Sequence, residues 1–398
     1  MNTIKLQWFQ DGAQSLGTTS GESVLIDKLE NIYVIGWVKG EIDIQGRIDK
    51  DTKTRLFIGK FANRGYIHWV KTFFCVSETS PIISTLDDDQ NIIIVFVHGH
   101  NVEILKIATY GELLWNKTIK GLNLSQLFHN IRVVADTGIY VSGAFEGLIQ
   151  TDDKLRGTSF VVKLSPHGEW DWTKSLPGKI EPIALIDKML VMGTIDDDQV
   201  HLCTMDKDNF TATIYVMDDV NITKIHDIVV NKNNDIIIVG SRNAHEKSNG
   251  RVIEAFIVSP NGKSQLVNTI TNLNVPIFVS LESIMIDENL FFVVKTQEKT
   301  YIYKNQSLWL TIDDHPTIGY PSIQKINSSI IIVGSYMIRL SIRDDENEIT
   351  IQGKDSPVFY SAIVELQKPP ILNSKPKESE RNETKKDYSP IEFYPPIF

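Results

Sequence analysis

The sequence predicts an all-β fold, a single seven-bladed β-propeller of four-stranded blades, with six or eight blades as the alternatives. Three observations predict it: a phrase that returns, apolar runs that recur between its copies, and polar turns that punctuate both. Residues 56–73 read LFIGKFANRGYIHWVKTF, residues 102–119 read VEILKIATYGELLWNKTI, and residues 159–176 read SFVVKLSPHGEWDWTKSL. Each copy has a lysine, a glycine five positions on and a tryptophan nine positions after the lysine: Lys60, Gly65, Trp69; Lys106, Gly111, Trp115; Lys163, Gly168, Trp172. Self-similarity at this scale fixes architecture before any local motif does.

Each phrase reads as a β-hairpin. Leu56, Ile58 and Lys60 alternate with Phe57, Gly59 and Phe61; then come Asn63-Arg64-Gly65 and a second aromatic and β-branched run. Two such runs around a short Gly-containing connection are a hairpin signal, and the glycine supplies the positive φ of the turn. The tryptophan falls in the second strand, where a large ring covers a sheet face. The lysine, glycine and tryptophan are thus expected to serve packing rather than chemistry.

Upstream of each hairpin lies another strand after a polar turn: NIYVIG (31–36), NIIIVF (91–96), GIYVSG (138–143), KMLVMG (188–193), DIIIVG (235–240), NLFFVV (289–294) and SIIIVG (329–334). Five of these end in glycine at one place: Gly36, Gly143, Gly193, Gly240 and Gly334. Runs this apolar indicate strands buried on both faces. A spacing of roughly 40–60 residues is that of propeller blades. Later hairpins are degraded: residues 255–270 keep Gly262, residues 301–312 keep Lys304 and Trp309, and residues 201–216 keep only the apolar pattern. The seventh copy has a third strand in VFYSAIVELQ (358–367) but no tryptophan strand after it. IKLQWFQDG (4–12) supplies one from the other end, since Trp8 precedes Gly36 by 28 residues, as Trp115 precedes Gly143. The N-terminal strand is therefore expected to complete the last blade and close the ring.

GIYVSGAFEG with SFVVKLSPHGEWDW, and NIYVIGWVKG with LFIGKFANRGYIHW, resemble the repeat of the seven-bladed β-propeller (SBBP) family, "D-x-x-G-N-x-Y-V-x-G … F-V-x-K-(L/F)-x-x-x-G-x-x-x-W". The resemblance covers residues 4–367, strongly in the first three blades and weakly in the fourth and sixth. It implies a fold and no particular chemistry.

Composition bounds the function. The 398 residues are 42% hydrophobic and 23% charged, ordinary for a globular chain, and the repeat makes residues 1–367 one closed unit. A net charge of −10 argues against general nucleic-acid binding, which needs a basic stripe. Cys75 and Cys203 lie in strand contexts, as buried free thiols. No apolar run approaches the length of a membrane-spanning helix, and the N-terminus lacks the pattern of a signal peptide. The expectation is an intracellular, cytoplasmic protein, and the sequons at Asn116 and Asn221 are read as idle. Heavy use of Ile, Asn, Asp and Lys suits an AT-rich genome, such as that of a protist or a large DNA virus, where a virion scaffold is a natural role.

Residues 368–390 are rich in Lys, Glu, Ser, Pro and Asn without periodicity and read as a polar linker. Residues 391–398, IEFYPPIF, end the chain with Phe393, Tyr394, Pro395, Pro396 and Phe398. Such a segment either packs on its own propeller or docks on another protein, since an extended aromatic-proline peptide anchors at low entropic cost.

Chemistry is sparsely signalled. Asp87-Asp88-Asp89, Asp196-Asp197-Asp198 and Asn231 to Asp235 lack the D-x-D-x-D-G spacing of a calcium loop and read as Asx turns. His98 and His100 are placed to share a metal if both lie on one strand, but no third ligand stands at useful spacing. There is no G-x-S-x-G elbow and no phosphate loop before a helix, so no cofactor is implied. The function expected is a non-catalytic protein-interaction scaffold. Its binding determinants are the insertions 40–54, 146–157 and 242–252, between the second and third strands of a blade, and the aromatic tail. An enzyme with its site at the central channel is the alternative, recognisable by convergent Asp, Glu, His and Arg side chains with shifted pKa values. Glycan binding ranks third, because the tryptophans occupy the repeat's own strand position.

Overall fold

β-Branched runs between Asp, Asn and Gly turns form antiparallel strands that pair with their neighbours in sequence. The computed structural model describes residues 6–11, 18–44, 47–75, 81–152, 154–176, 179–196, 199–208, 211–217, 219–243, 251–258, 264–273, 278–286, 288–296, 299–313, 322–326, 329–336, 339–343, 348–352 and 358–365, and no helix occurs among them. Residues 366–398, with Phe393, Tyr394, Pro395, Pro396 and Phe398, lie outside the described residues, as do Asp197 and Asp198.

The chain opens with β1 (Leu6–Asp11) and continues into a first meander of β2 (Thr18–Ile26), β3 (Ile32–Ile44), β4 (Arg47–Phe61) and β5 (Ile67–Cys75). The second comprises β6 (Ile82–Leu86), β7 (Ile92–His98), β8 (Asn101–Ile107) and the first part of β9 (Leu113–Ala135). The rest of β9 opens the third, with β10 (Ile139–Gln150), β11 (Lys154–Leu164) and β12 (Trp170–Leu176). The fourth is β13 (Lys179–Ile186), β14 (Met189–Asp196), β15 (Gln199–Asp206) and β16 (Ala212–Val216). The fifth is β17 (Lys224–Val230), β18 (Ile236–Asn243), β19 (Arg251–Val258) and β20 (Ser264–Leu273). The sixth is β21 (Phe278–Ile286), β22 (Asn289–Thr296), β23 (Thr300–Lys304) and β24 (Ser307–Asp313). The seventh holds β25 (Ser322–Ile326), β26 (Ser329–Tyr336), the hairpin β27 (Arg339–Arg343) and β28 (Glu348–Gln352), and β29 (Val358–Glu365).

Every adjacent pair is antiparallel, and the sheets run in sequence order. The exception is the sheet β1-β29-β26-β25, in which the N-terminal strand lies beside the last, with Leu6 opposite Val364 and Asp11 opposite Tyr360. The first strand of each meander packs on the next: β2 on β6, β6 on β9, β9 on β13, β13 on β17, β17 on β21, β21 on β25, and β2 again on β25, β26 and β29. This is a β-propeller repeat fold.

The strands read as doubly buried are so. Ile92–Phe96, Ile139–Ala144 and Ile236–Gly240 lose nearly all exposure, and the cores lie between neighbouring meanders. One core joins Val24, Val34 and Phe57 to Ile331 and Val333; another joins Tyr33, Ile35 and Leu56 to Ile92 and Ile94. The strand-ending glycines have a physical reason. A Cβ on Gly36 would stand 1.8 Å from the Ser20 carbonyl oxygen, and one on Gly240 would meet Ile222 at 2.2 Å. The first strand of the same meander bulges there, with its register shifting between Gly21 and Ser23 and between Ile225 and Asp227. Only a residue without a side chain fits against the bulge.

Two features differ from a regular array. The 23-residue β9 passes from the outside of the second meander to the inside of the third, merging them into one seven-stranded sheet. The β27–β28 hairpin, for which the sequence offered no signal beyond a short apolar alternation, leaves the seventh meander and pairs with β24 of the sixth, Thr311 opposite Arg343 and Asp313 opposite Ser341. The insertions after β3 and β10 are not open loops but ribbons: pairing continues from Gly40↔Asp51 to Ile44↔Arg47, and from Gly147↔Gly157 to Gln150↔Lys154. Strands β18 and β19 likewise pair as far as Asn243↔Arg251.

Candidate functional site

The recurring phrase links one meander to the next. Lys60 Nζ and Trp69 Nε1 both donate to the Thr109 carbonyl oxygen, at 3.1 and 3.3 Å, in the hairpin turn of the following meander. Lys106 Nζ and Trp115 Nε1 both donate to the Pro166 carbonyl oxygen, at 2.9 and 3.1 Å, one meander on. Thr109 and Pro166 each stand three residues after the phrase lysine, so one repeat's lysine and tryptophan bind the next repeat's turn. The turn glycines Gly65, Gly111 and Gly168 all have positive φ. Gly168 also lies against the Trp115 ring, where a Cβ would come within 2.7 Å.

The same lysines neutralise the acids of the turns before the second strands. Lys106 Nζ sits 2.7 Å from Asp87 Oδ2, both side chains nearly inaccessible, and Lys60 Nζ stands 3.8 Å from Asp27. Burial would raise Asp27, but hydrogen bonds from Asn31, Tyr33 and the Leu29 amide hold it below the ordinary carboxylate value. The third link is rearranged. Lys163 pairs with Asp171 on its own hairpin, while Asp136 is taken by Lys207 from the fourth meander. Trp172 stacks at a tilt on Tyr140, centroids 6.2 Å apart, and Trp309 meets Phe291 edge-on at 5.6 Å. Lys304 ends β23, and Trp8 on β1 is opposite Ile363.

The acidic and amide runs are occupied with turn bonding. Asp87 Oδ1 accepts the Asn91 amide at 2.7 Å, and Asn231 Oδ1 accepts the amides of Asn233 and Asp235 at 2.8 and 2.9 Å. The two histidines do not share a strand face. His98 is the last residue of β7 and pairs with Asn101, while Gly99, at φ 61°, and His100 form the turn. Burial pushes the Cys203 thiol up to about 11, which leaves it unreactive.

A different constellation emerges on the innermost strands. Arg132 of β9, His226 and Asp227 of β17, Glu282 and Ser283 of β21, and Ser322 of β25 are drawn together from four meanders. Asp227 Oδ2 accepts from both the amide and the hydroxyl of Ser283, each at 2.8 Å. Glu282 accepts in turn from the Ser322 hydroxyl and the Ile323 amide. Each carboxylate thus caps the free edge of the next innermost strand. Asp227, Glu282 and Arg132 are each part-buried, with some surface left accessible.

Burial, followed by the Asp227 charge, pushes Glu282 up to about 8, against the pull of Arg132 and the hydrogen bonds. Burial also raises Asp227, again opposed by Arg132 and by Ser283. His226 sits at the β17 bulge with Nε2 2.8 Å from Ser241 Oγ. Burial, with Lys224, Arg251 and Arg132 nearby, lowers it to about 3, so the ring is neutral at physiological pH. One arginine thus acts on groups from both the fifth and sixth meanders. None of these residues stands out in the sequence. They fall in degenerate first strands scattered between residues 132 and 322, and the alternative of a central-channel site named only their types.

No family model matches the chain, and no curated protein matches it. Solved structures do. The chain is similar to the Dos1 propeller (8% identity, 91% of this chain and 95% of that chain, TM-score 0.48). It is similar to BamB from Moraxella catarrhalis (12%, 91% and 100%, 0.46) and to Kuenenia stuttgartiensis hydrazine synthase (9%, 84% and 96%, 0.50). At such identities the likeness concerns the fold alone.

Proposed function

We propose that the chain is a closed seven-bladed propeller of SBBP-like repeats that works as a non-catalytic scaffold for protein partners. The succession of first strands from β2 to β25 and back to β2 supports seven blades, and the β1–β29 pair supports closure by the N-terminal strand. The observation that carries the scaffold reading is the placement of the ribbons. Thr18 at the start of β2 is opposite Lys39 at the base of the β3–β4 ribbon, and Lys224 at the start of β17 is opposite Ser241 below the β18–β19 extension. In a meander the connection between second and third strands shares its rim with the start of the first. The ribbons therefore gather on one rim, as paired strands that present side chains at little entropic cost.

The test is affinity capture with cross-linking, using the full chain, a variant with residues 41–51 replaced by an Asn-Gly turn, and a version ending at residue 367. Loss of the cross-linked partner with the ribbon variant supports the rim. Loss on truncation assigns the aromatic tail as a second dock. Equal capture by all three refutes the ribbon rim and the tail as docks, and no captured partner alongside turnover of a small substrate refutes the scaffold reading.

The axial group favours a second reading, a small-molecule or catalytic site in the central channel. Arg132, Asp227 and Glu282 converge from separate blades with raised carboxylate pKa values, the pattern expected of working acids. Screening hydrolase, lyase and glycan substrates with wild type and Glu282→Gln tests it, and equal turnover by both excludes this glutamate from any such reaction.

A further inference from the structure

We propose that the outer edge of β20, with the cleft beside it, takes an extended strand from a basic polypeptide whose lysine or arginine side chain enters the cleft. The site is lateral, on the fifth meander. It rests on the interaction reading only in treating the chain as a binder and needs nothing from the ribbon rim.

β20 is the outermost strand of its sheet, and among the described residues no strand pairs with its far side. Its ten residues, SQLVNTITNL, contain neither charge nor proline. Natural edge strands are usually blunted by such residues. Other outer strands here conform: β5 carries Lys71, the outer part of β9 carries Lys117 and Lys120, and β12 carries Asp171 and Lys174. β16 is also uncharged but has only five residues. The corresponding edge one meander on, β24, already accepts an added antiparallel strand, β27. The outer edges of this fold are thus geometrically competent for strand addition.

The cleft supplies selectivity. Its volume is about 380 Å³, and it crosses the face of β18, β19 and β20 beneath the segment that leaves β16. Phe256 and Leu266 give it an apolar floor; Asp219 and the Arg242–Glu254 pair give it polar walls. Glu254 holds the guanidinium through two bonds, 3.2 Å to Nε and 2.9 Å to Nη2, so these two charges cancel. Asp219 leaves the cleft with one net negative charge. An aliphatic stem on Phe256 and Leu266 with a cationic head at Asp219 satisfies both surfaces. Leu266, half exposed at 50%, would be covered. Backbone pairing then gives affinity and the cleft gives side-chain choice, the division of labour in strand addition. The chain's net charge of −10 steers a basic partner toward it.

The probe is a fluorescein-labelled, end-capped ten-residue peptide alternating Thr and Val with a central Lys, titrated against the full chain by anisotropy. Saturable binding is expected. It should weaken about tenfold when the Lys becomes Glu and again when alternate peptide amides are N-methylated. Asp219→Asn, at an exposed position, should weaken it severalfold, and Val267→Lys should abolish it by charging the edge. The variant lacking ribbon 41–51 should bind unchanged, which separates failure here from failure of the rim. Absence of saturable binding, indifference to N-methylation, or unchanged affinity in Asp219→Asn and Val267→Lys overturns the proposal. So does a dimer in sedimentation that Val267→Lys dissociates, since a second copy then occupies the edge.

Discussion

Lys106 and Lys163 hold the same place in the repeat, yet replacing each by methionine should give very different outcomes. Lys106 Nζ lies 2.7 Å from Asp87 Oδ2, with both side chains 5% exposed, and donates to the Pro166 carbonyl at 2.9 Å. Methionine keeps the stem and removes the charge. Asp87 is then a buried carboxylate held by the Asn91 amide and side chain alone. An uncompensated buried charge costs about 3–5 kcal/mol, and the surviving hydrogen bonds place Lys106→Met near the low end, at about 3 kcal/mol. Lys163 is paired at 2.8 Å with Asp171, whose side chain is 48% exposed and rehydrates freely. Adding its cation–π contact to Tyr140, Lys163→Met should cost about 0.5–1 kcal/mol. Urea unfolding followed by tryptophan fluorescence and far-ultraviolet circular dichroism measures both. In the background of Lys106→Met, Asp87→Asn should recover a large part of the loss, because the orphaned charge goes with it. Equal costs for the two lysines, or no relief from Asp87→Asn, would refute the assignment of Lys106–Asp87 as a buried ion pair inside the second meander.

Three further outcomes follow from the same geometry. Glu282 at about 8 holds a proton in the folded chain that the unfolded chain releases above 4.5, so its contribution to stability falls as pH rises to about 8. His226 at about 3 is neutral when folded and protonated when unfolded below 6.5, so its contribution falls as pH drops to about 3; the two slopes oppose each other between 4.5 and 6.5. Urea midpoints against pH should lose their alkaline decline in Glu282→Gln, and a decline that persists rules Glu282 out as its source. Gly36→Ala forces a Cβ to 1.8 Å from the Ser20 oxygen, whereas Gly99→Ala, at φ 61° with open space around it, meets only left-handed strain; about 3 kcal/mol or more against about 1 kcal/mol is expected by chemical unfolding. Deleting residues 1–12 uncovers the β29 edge, and the truncated chain should show earlier urea unfolding and faster amide exchange in β29; unchanged protection there would count against ring closure.

The legible part of this molecule was its periodic part. Lys60, Lys106, Trp69 and Trp115 recur because the contact they make recurs, and a contact repeated around a ring leaves a period in the sequence. The pairing of β1 with β29 was readable from spacing, since Trp8 stands as far before Gly36 as Trp115 before Gly143. The acids and arginine of the axis were not. Asp227 and Glu282 do equivalent work, each capping the next strand, but one is shorter than the other and their flanking residues share no pattern. Arg132 reaches them through space from another blade. The β27–β28 hairpin was hidden because its partner, β24, belongs to a different repeat, so no local pattern announces the pairing. The exchange of partners at Asp136, which takes Lys207 rather than Lys163, was hidden because the lysine of the phrase is still present and only its use has changed.

The pairing of β1 with β29 also sets a clock. Leu6 finds its position only beside Val364, 358 residues later. At ribosomal speeds of about 5–20 residues per second, the segment LQWFQD waits roughly 20–70 s after its own synthesis before its partner exists. Through that interval β1 has been made but has no strand to pair with. A newborn chain therefore carries an aromatic strand with an unsatisfied backbone, open to chaperones or to another nascent copy. A ribosome stalled before residue 358 would leave that strand waiting indefinitely.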